Sequence, residues 1–455
     1  MSSCLSNRRE AIRSLFASSL LMPGMISNAL AADDPMAPKA PHFPAKAKRV
    51  IFLYMTGGVS QVDSFDPKPN LSRDHGKTVG AKKNFLVRSP FAFKKYGQSG
   101  LEVSELFPHV GECADELCVI RSMKTDDNDH FGASTAIHTG STNLSRPSIG
   151  SWTSYGLGTF NQKLPSFLVL APYLPYGGGQ VWGSDFLPGV HQGTRIVPGQ
   201  GDPIPNMRRR VEPASLQELE MNWLGSFNRR HLKGRESDPS LAARIKSMET
   251  AFGMQQEAPE VFDLSGESDA TLQLYGLERG SKAGFAWQCL VARRLAERGV
   301  RFVELIDAGA DINKNWDAHF DIQTHRKLAK NVDQPIAALL KDLKSRGMLD
   351  DTLVVWTTEF GRTPFLEKAD GKGREHHNRC FSSWMAGGGV RAGTVYGESD
   401  EYGIDVAKDM VHFHDFHATI LHLLGMDHTR LTYRYAGRDF RLTDVAGNVV
   451  KGLLA

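Results

Sequence analysis

The chain is poor in cysteine. It has five cysteines in 455 residues, and beyond the first few positions only Cys113, Cys118, Cys289 and Cys380 remain. Their scatter matches no zinc-ligand spacing. Cys113 and Cys118 stand off a common helix face, so buried thiols or at most one disulfide are expected. Excess charge is scarce as well: the net charge is +3. Arg8, Arg9 and Arg13 against Glu10 account for +2 of it, leaving +1 for the rest. That balance excludes an electrostatic footprint for nucleic acid and offers nothing to an anionic membrane surface. Long apolar runs are also missing. The longest, Leu15 to Ile26, is short and broken by serines, Pro23 and Gly24, which excludes a stable membrane span. No internal repeat, low-complexity tract or heptad pattern occurs, so a repeat array or coiled coil is excluded. With 41% hydrophobic and 23% charged residues, the remainder is an ordinary globular composition.

What is present begins with an export signal over residues 1–31. Ser6-Asn7-Arg8-Arg9-Glu10 carries an arginine pair, the apolar stretch follows, and Ala29-Leu30-Ala31 has the small-x-small pattern that signal peptidase cuts. The arginine pair points to the twin-arginine export machinery, a route for folded and often metal-loaded proteins. The expected location is therefore periplasmic or secreted. Residues 32–48, rich in Pro and Ala, read as a linker. Residues 49–455 are long enough for a single large α/β domain. A loop-rich and helical insertion is expected around 153–255.

Within that domain, buried-strand runs alternate with helical patterns. Arg49 to Tyr54 is a continuous apolar run ending in Thr56-Gly57-Gly58, a turn that permits close backbone approach. Leu106 to Leu117 reads as an amphipathic helix before a strand at Cys118 to Arg121, and another helix opens near His130. Residues 165–210, with Tyr173, Tyr176 and Trp182 among many Gly and Pro, read as an excursion outside the core. Helical patterns follow from Ser215 to Ala251 and from Ser268 to Arg298. Val300 to Ile306 is a strand ending at Asp307, Arg326 to Arg346 a long helix, and Leu353 to Thr357 a strand. Ser382 to Ala386 is a short strand and Asp415 to Leu424 a helix. Such alternation predicts a mostly parallel sheet with helices on both faces. Ligands of these sheets bind outside the carboxyl ends of the strands. Thr358, Glu359 and Arg362, in DDTLVVWTTEFGRTP (Asp350 to Pro364), therefore stand where chemistry is usually done. The plainer alternative is a strand-end Glu359 paired with Arg362.

FPHVGECADELCVIRSM (Phe107 to Met123) is similar to the helix and strand that precede the sulfatase signature, and two further segments follow in the sulfatase order. HFGASTAIHTG (His130 to Gly140) resembles the signature Cys-x-Pro-Ser-Arg-Ala-Ala-Leu-Leu-Thr-Gly. DLKSRGMLDDTLVVWTTEFG resembles the block Leu-Asp-Asn-Thr-Leu-Val-Ile-Phe-Thr-Ser-Asp-Asn-Gly. A second resemblance spans the whole mature chain. GGVSQVDSFDPKP (Gly57 to Pro69), RPSIGSW (Arg146 to Trp152), NWDAHF, EFGRTP, GREHHN, AGGGVRAGTVYG and DFHATILHLLG resemble phrases of an exported bacterial family of unknown function, numbered 1501. Together these imply an alkaline phosphatase-like three-layer sandwich, in a sulfatase-like branch of the alkaline phosphatase and sulfatase superfamily. The family itself implies no reaction.

The departures limit what the resemblance can carry. Aligned on Thr139-Gly140, the sulfatase catalytic Cys falls on His130 and its Arg on Ser134. The paired acids after the first strand fall on Met55 and Thr56, and in the late block Glu359 is kept while the second acid becomes Phe360. Formylglycine chemistry is excluded because its precursor Cys is absent, and a sulfatase calcium site is incomplete.

Several constellations remain. Asp317 and His319, two apart on the loop after Asp307, can reach one cation, and His with carboxylate suits Zn²⁺, Mn²⁺ or Fe²⁺ better than Ca²⁺. Zinc or manganese is the expected cofactor, ahead of calcium. The resemblance to metal phosphatases adds a later His, for which His376 or His377 stands in place, and Glu359 joins them. The plain alternatives are an N-cap Asp317, a surface His319 and a solvated Glu-His-His run. Asp63 and Asp66 are candidates to replace the missing acids. Asp63 leads because it is nearer the strand, whereas Asp66-Pro67 also reads as turn punctuation. Gln61 beside them and Arg374 are expected to touch substrate. His130 opens a helix, where backbone N–H groups favour an anion, and is a candidate general acid, metal ligand or nucleophile. The alternative is an Asp129 cap with His130 exposed. Arg362 and Arg374 suit an oxyanion substrate, or they pair with Glu359 and Glu375. His412, His414, His417 and His422 read as structural, with Asp415 capping their helix and His414 the exception to watch.

Two functions from different classes follow. One is a secreted, metal-dependent hydrolase of phosphate or sulfate esters, small-molecule or glycan, with Arg362 and His130 at the reaction. The other is an inactive protein of the same fold that binds acidic or sulfated glycans at the cell surface.

Overall fold

The computed structural model describes residues 34–80, 84–199, 202–207, 213–235, 238–368 and 371–455; the expected export signal lies outside the described residues. The central sheet has nine strands: β1 (Arg49–Met55), β2 (Leu117–Lys124), β3 (Phe167–Leu170), β4 (Thr194–Ile196), β5 (Phe302–Asp307), β6 (Thr352–Thr357), β7 (Phe381–Ala386), β8 (Thr394–Tyr396) and β9 (Val411–His412). Their spatial order is β8-β2-β7-β6-β1-β5-β3-β4, with β9 also on β2. Within this sheet the pairings are parallel except the two made by β7, with β6 and β2. The expected mostly parallel sheet is what forms.

Eight helices matter here: α1 (His130–Thr139), α2 (Ile149–Leu157), α3 (Ala214–Leu232), α4 (Pro239–Phe262), α5 (Asp269–Tyr275), α6 (Phe285–Glu297), α7 (Thr324–Ser345) and α8 (Phe413–Leu423). Because side chains alternate across a strand, the unbroken apolar runs of β1 and β6 feed two separate cores. Ile51, Leu53, Met55, Val354 and Trp356 pack with Leu290 of α6 and Ile336 and Leu340 of α7. Val50, Phe52, Tyr54, Leu353 and Val355 pack with Ile137 of α1, Trp152 of α2 and Phe416 and Ile420 of α8. Each such side chain contributes about 1.5–3 kcal/mol when fully buried. The result is a three-layer α/β sandwich. No helix among the described residues is long and apolar enough to cross a membrane.

Several expected boundaries shift. Leu106 to Leu117 is not one helix; it forms one turn at Pro108–Gly111 and a 3-10 turn at Ala114–Glu116 before β2 begins. A glycine at the end of so short a segment is enough to stop propagation. The excursion over 165–210 is partly core: β3 is fully buried and pairs with β5, and β4 pairs with β3. Its strands are too short to stand out among the flanking Gly and Pro. The helical pattern from Ser215 to Ala251 divides into α3 and α4, and that from Ser268 to Arg298 into α5 and α6, with Gly276 ending α5 at φ +73°. His412, not Asp415, is the N-cap of α8, with Asp415 completing the capping box. Residues 34–48, read as a linker, lie against the body: Lys39 N donates to Leu157 O and Lys46 N to Leu423 O, and Met36 and Ala47 are buried.

Register brings the functional loops together. Met55 pairs with Asp307 and Tyr54 with Thr357, so β1, β5 and β6 end at one level and their following loops share one rim.

Candidate metal centre

At that rim four segments converge on the loop after β5 that carries Asp317 and His319. The first is Gly57-Gly58 after β1, where Gly57 has φ +118°. A Cβ on Gly57 would lie 2.7 Å from both Trp316 N and Asp317 N, so only glycine lets this turn rest against the loop carrying Asp317 and His319. Trp316 N donates to Thr56 O at 3.0 Å and fixes the two loops together. The second segment, after β6, supplies Glu359 and Arg362. The third is a short ribbon in which Arg362 lies opposite His376. The fourth is the start of α1, capped by Asp129, whose carboxylate accepts from Phe131 N and Gly132 N. The cap is therefore the expected one, but His130 is not exposed: only 8% of it is accessible.

The side chains His130, Asp317, His319 and His376 bring one ligand atom each within 4.8 Å of one another. Asp317 Oδ1 lies 3.4 Å from His130 Nε2, 3.0 Å from His319 Nε2 and 3.4 Å from His376 Nε2. His319 Nε2 and His376 Nε2 are 2.9 Å apart. The other ring nitrogens all point outward to acceptors. His130 Nδ1 is 2.9 Å from Glu359 Oε1, His319 Nδ1 is 2.7 Å from Glu375 Oε2, and His376 Nδ1 is 2.7 Å from Asn128 O. A carbonyl or carboxylate only accepts, so each Nδ1 donates and each neutral ring turns its Nε2 lone pair inward. Three such lone pairs and a carboxylate oxygen form a donor set with no internal proton, and His130 Nε2 is buried without a hydrogen-bond partner. The buried Arg362 guanidinium, 2.6 Å from Asp317 Oδ1, offsets one of the two carboxylates, Asp317 and Glu359; the other negative charge calls for protons on the imidazoles or for a divalent cation. Histidines anchored in this way through the remote nitrogen are the usual arrangement for metal ligands.

The electrostatics agree. Burial works against a charged His130, yet the neighbouring carboxylates of Asp317 and Glu359 outweigh that and raise its pKa. Burial likewise opposes ionisation of Asp317, but His130, His376 and Arg362 hold its carboxyl well below the usual range. Glu359 is fully buried, and burial raises its pKa; the bonds from His130 and Tyr54 overcome this and hold it ionised. It accepts from Gly57 N at 2.7 Å and Tyr54 OH at 3.0 Å as well as from His130 at 2.9 Å. Three donors and full burial keep it from the inward-facing ligands, so Glu359 orients His130 instead.

The other expected site residues take different places. Asp63 is buried and bound by Arg374, at 2.5 Å from Nε and 3.2 Å from Nη2, with Ser60 Oγ at 2.5 Å. It does not join the cluster, and Arg374, equally buried, is spent on it. Asp66 is held by Ser399 and by Lys68 at 3.0 Å. Gln61 bridges within the scaffold: its Nε2 donates to Arg362 O and its Oε1 accepts from Arg362 N. Burial pushes the pKa of His377 down to about 4, and its Nε2 is tied to Ile404 O at 2.7 Å, leaving His376 as the inward-facing member. Arg362 is buried; it donates to Gly58 O at 2.9 Å, to Gly57 O and to Asp317 Oδ1 at 2.6 Å. It thus pairs with Asp317 rather than with Glu359. Phe360, where the second sulfatase acid would fall, is buried and packs on His130 and His376. His412, His414 and His417 bond to Asp126, Gly140 O and Ile137 O, consistent with a structural cluster. The four described cysteines are free and buried.

A model of the family described as Protein of unknown function (DUF1501) matches residues 47–454. The chain belongs to that family. No curated protein matches it. Solved structures similar to this DUF1501 protein include the lipoteichoic acid synthase LtaP from Listeria monocytogenes, with 9% identity, 91% of this chain and 80% of that chain covered, and a TM-score of 0.36. The PsFucS1 sulfatase from Pseudoalteromonas sp. has 12% identity, coverage of 92% and 72%, and a TM-score of 0.34. An alkaline phosphatase from the Antarctic bacterium TAB5 has 12% identity, coverage of 84% and 99%, and a TM-score of 0.33.

Sequence reasoning did not assign three residues that shape the DUF1501 centre. Tyr176 stacks on the His130 ring at 3.8 Å between centroids and 7° between planes. Tyr54 spans Glu359 and Ser134, at 3.0 Å from each. Glu375 anchors His319. Tyr54, a hydroxyl inside an otherwise apolar strand, carried a readable signal, because a buried hydroxyl needs a partner; Tyr176 carried none.

Proposed function

We propose that this DUF1501 protein is an exported, metal-dependent hydrolase of phosphate or sulfate esters that does not use formylglycine. The observation that carries the reading is the convergence of three Nε2 atoms on Asp317 Oδ1, each histidine anchored through Nδ1. His130, Asp317, His319 and His376 would hold the cation, and a donor set of nitrogens with one carboxylate favours zinc or manganese over calcium. A bound divalent cation supplies Lewis-acid polarisation of an ester oxygen. The chain's own residues do the rest. Arg362, buried and saturated by carbonyls, holds Asp317 ionised and adds fixed positive charge behind the site, where an anionic ester gains from it. Glu359 sets the tautomer of His130, and Tyr54 and Gly57 N hold Glu359 in turn. Tyr176 covers one face of His130 and limits water there. The motif order shared with sulfatases, together with a His at the signature Cys position, supports an ester of an oxyanion and a mechanism without formylglycine. The arginine pair at the N-terminus supports export by the twin-arginine route, with delivery to the periplasm or beyond.

The test is metal content. The mature protein, purified without chelator, is compared with the Asp317→Ala, His319→Ala double variant by elemental analysis. Stoichiometric zinc or manganese lost in the variant, and turnover of aryl phosphate or sulfate esters by the loaded protein alone, is the expected result. A folded wild type that takes up neither metal when offered would sink the reading.

A further inference from the structure

The α3 helix, away from the metal centre, exposes an apolar stripe. Leu216, Leu219, Trp223, Leu224 and Phe227 are all exposed, from 45% at Leu216 to 71% at Trp223. Leu216, Leu219, Trp223 and Phe227 follow one another at three, four and four residues, which sets them on one face. The half-buried positions, Gln217, Met221, Gly225 and Asn228, fall on the opposite face, and Gln217, Met221 and Leu224 line a cavity against Phe252 and Gln255 of α4, so Leu224 stands at the edge of the stripe. So α3 is seated on the protein by one side and presents the other to solvent. With on the order of 100 Å² exposed per large side chain, the four residues on that face offer roughly 400 Å² of apolar surface, a patch of the size that monomers usually reserve for function.

Charge on the same face is divided along the helix. Glu220 lies in its first half and Arg230 in its last turn, both exposed. Trp223 with Phe227, and Glu220 with Arg230, are both centred on position 225. A second copy running antiparallel, with a two-fold axis at the level of Gly225, therefore sets Trp223 against Phe227 and Glu220 against Arg230, each pair occurring twice. A parallel copy would oppose Glu220 to Glu220. Two copies together bury about 800 Å², in the range of weak, reversible encounters. We propose that α3 is a dimerisation element, pairing antiparallel with α3 of a second copy of this chain in a reversible homodimer.

Sedimentation velocity of the full mature chain over a micromolar dilution series tests this. The wild type should dimerise reversibly, and Trp223→Glu with Phe227→Glu should be monomeric. Glu220→Arg or Arg230→Glu alone should raise the dissociation constant about tenfold. The two combined should restore it to within about threefold. That rescue separates surface pairing from misfolding. A monomeric wild type, a dimer indifferent to the Trp223 and Phe227 changes, or a combined swap without rescue would overturn the proposal. So would wild-type binding to phosphatidylglycerol vesicles that Trp223→Glu abolishes.

Discussion

His319 Nε2 and His376 Nε2 face each other at 2.9 Å, while the other nitrogen of each ring is committed to Glu375 Oε2 or Asn128 O. Two lone pairs at that separation repel unless a cation lies between the rings or one ring carries a second proton. A cation bound between the rings removes that repulsion and is taken up by the folded protein alone. We predict that zinc or manganese at a hundredfold excess over its dissociation constant stabilises the protein by about 3 kcal/mol. In a scanning calorimeter this reads as a rise in Tm of a few degrees. The His319→Ala, His376→Ala variant should show no rise. An equal rise in both proteins would place the metal elsewhere.

Glu359 acts on the centre through His130, and its removal should be felt as lost affinity. Glu359→Gln keeps the shape and one acceptor oxygen but removes the charge that holds the Nδ1 proton of His130. Loss of such an anchoring carboxylate costs roughly 10–100-fold in metal affinity. Isothermal titration of the apo variant measures it directly. An unchanged affinity would show that His130 is not among the ligands.

Asp63 separates the two roles a buried carboxylate can play. It and Arg374 are both inaccessible and face each other at 2.5 Å. Asp63→Ala leaves a buried guanidinium without its counter-charge, a loss of about 3–5 kcal/mol. Urea unfolding of the variant should show that drop, and metal stoichiometry should stay at the wild-type value. A variant of normal stability with reduced metal content would return Asp63 to the ligand set.

The pairings just described mark the limit of what the sequence could tell. β1 and β6 were legible because an unbroken apolar run has one good solution, a strand covered on both faces. Their carboxyl ends then located Glu359, and the spacing of Asp317 and His319 made them joint ligands on any loop. What stayed illegible is which cation meets which carboxylate. Arg362 stands three residues from Glu359 and Arg374 beside Glu375, yet Arg362 binds Asp317 and Arg374 binds Asp63, 45 and 311 residues away in sequence. Local spacing says nothing about such partners, because they are chosen by the register of β1, β5 and β6. The choice of His376 over His377 has the same origin. On a two-residue strand the neighbours point to opposite faces, and only the ribbon's pairing with Gly361 and Arg362 decides which face looks inward.

Stability should fall steeply on mild acidification, for a reason separate from the metal centre. His191, His325 and His417 are buried, and burial, the largest cause in each, lowers their pKa to about 3 from an ordinary 6.5. Between those limits the unfolded chain binds protons that the folded chain refuses. Their stabilisation is thus fully present above pH 6.5 and is lost as pH falls toward 3. Each forfeits about 2 kcal/mol by pH 5. Asp307 works the other way: burial raises its pKa to about 6, so the folded state binds the extra proton and gains about 1 kcal/mol over the same interval. The three histidines outweigh it, and these four groups together contribute a loss of about 5 kcal/mol from pH 7 to 5. Urea midpoints of the metal-free protein measured across that range should fall accordingly. His191→Gln should flatten the profile by about one histidine's share, since an amide can accept from Ser154 Oγ without titrating. A profile that is flat for the wild type, or as steep in the variant, would contradict the assignment of acid sensitivity to these buried rings.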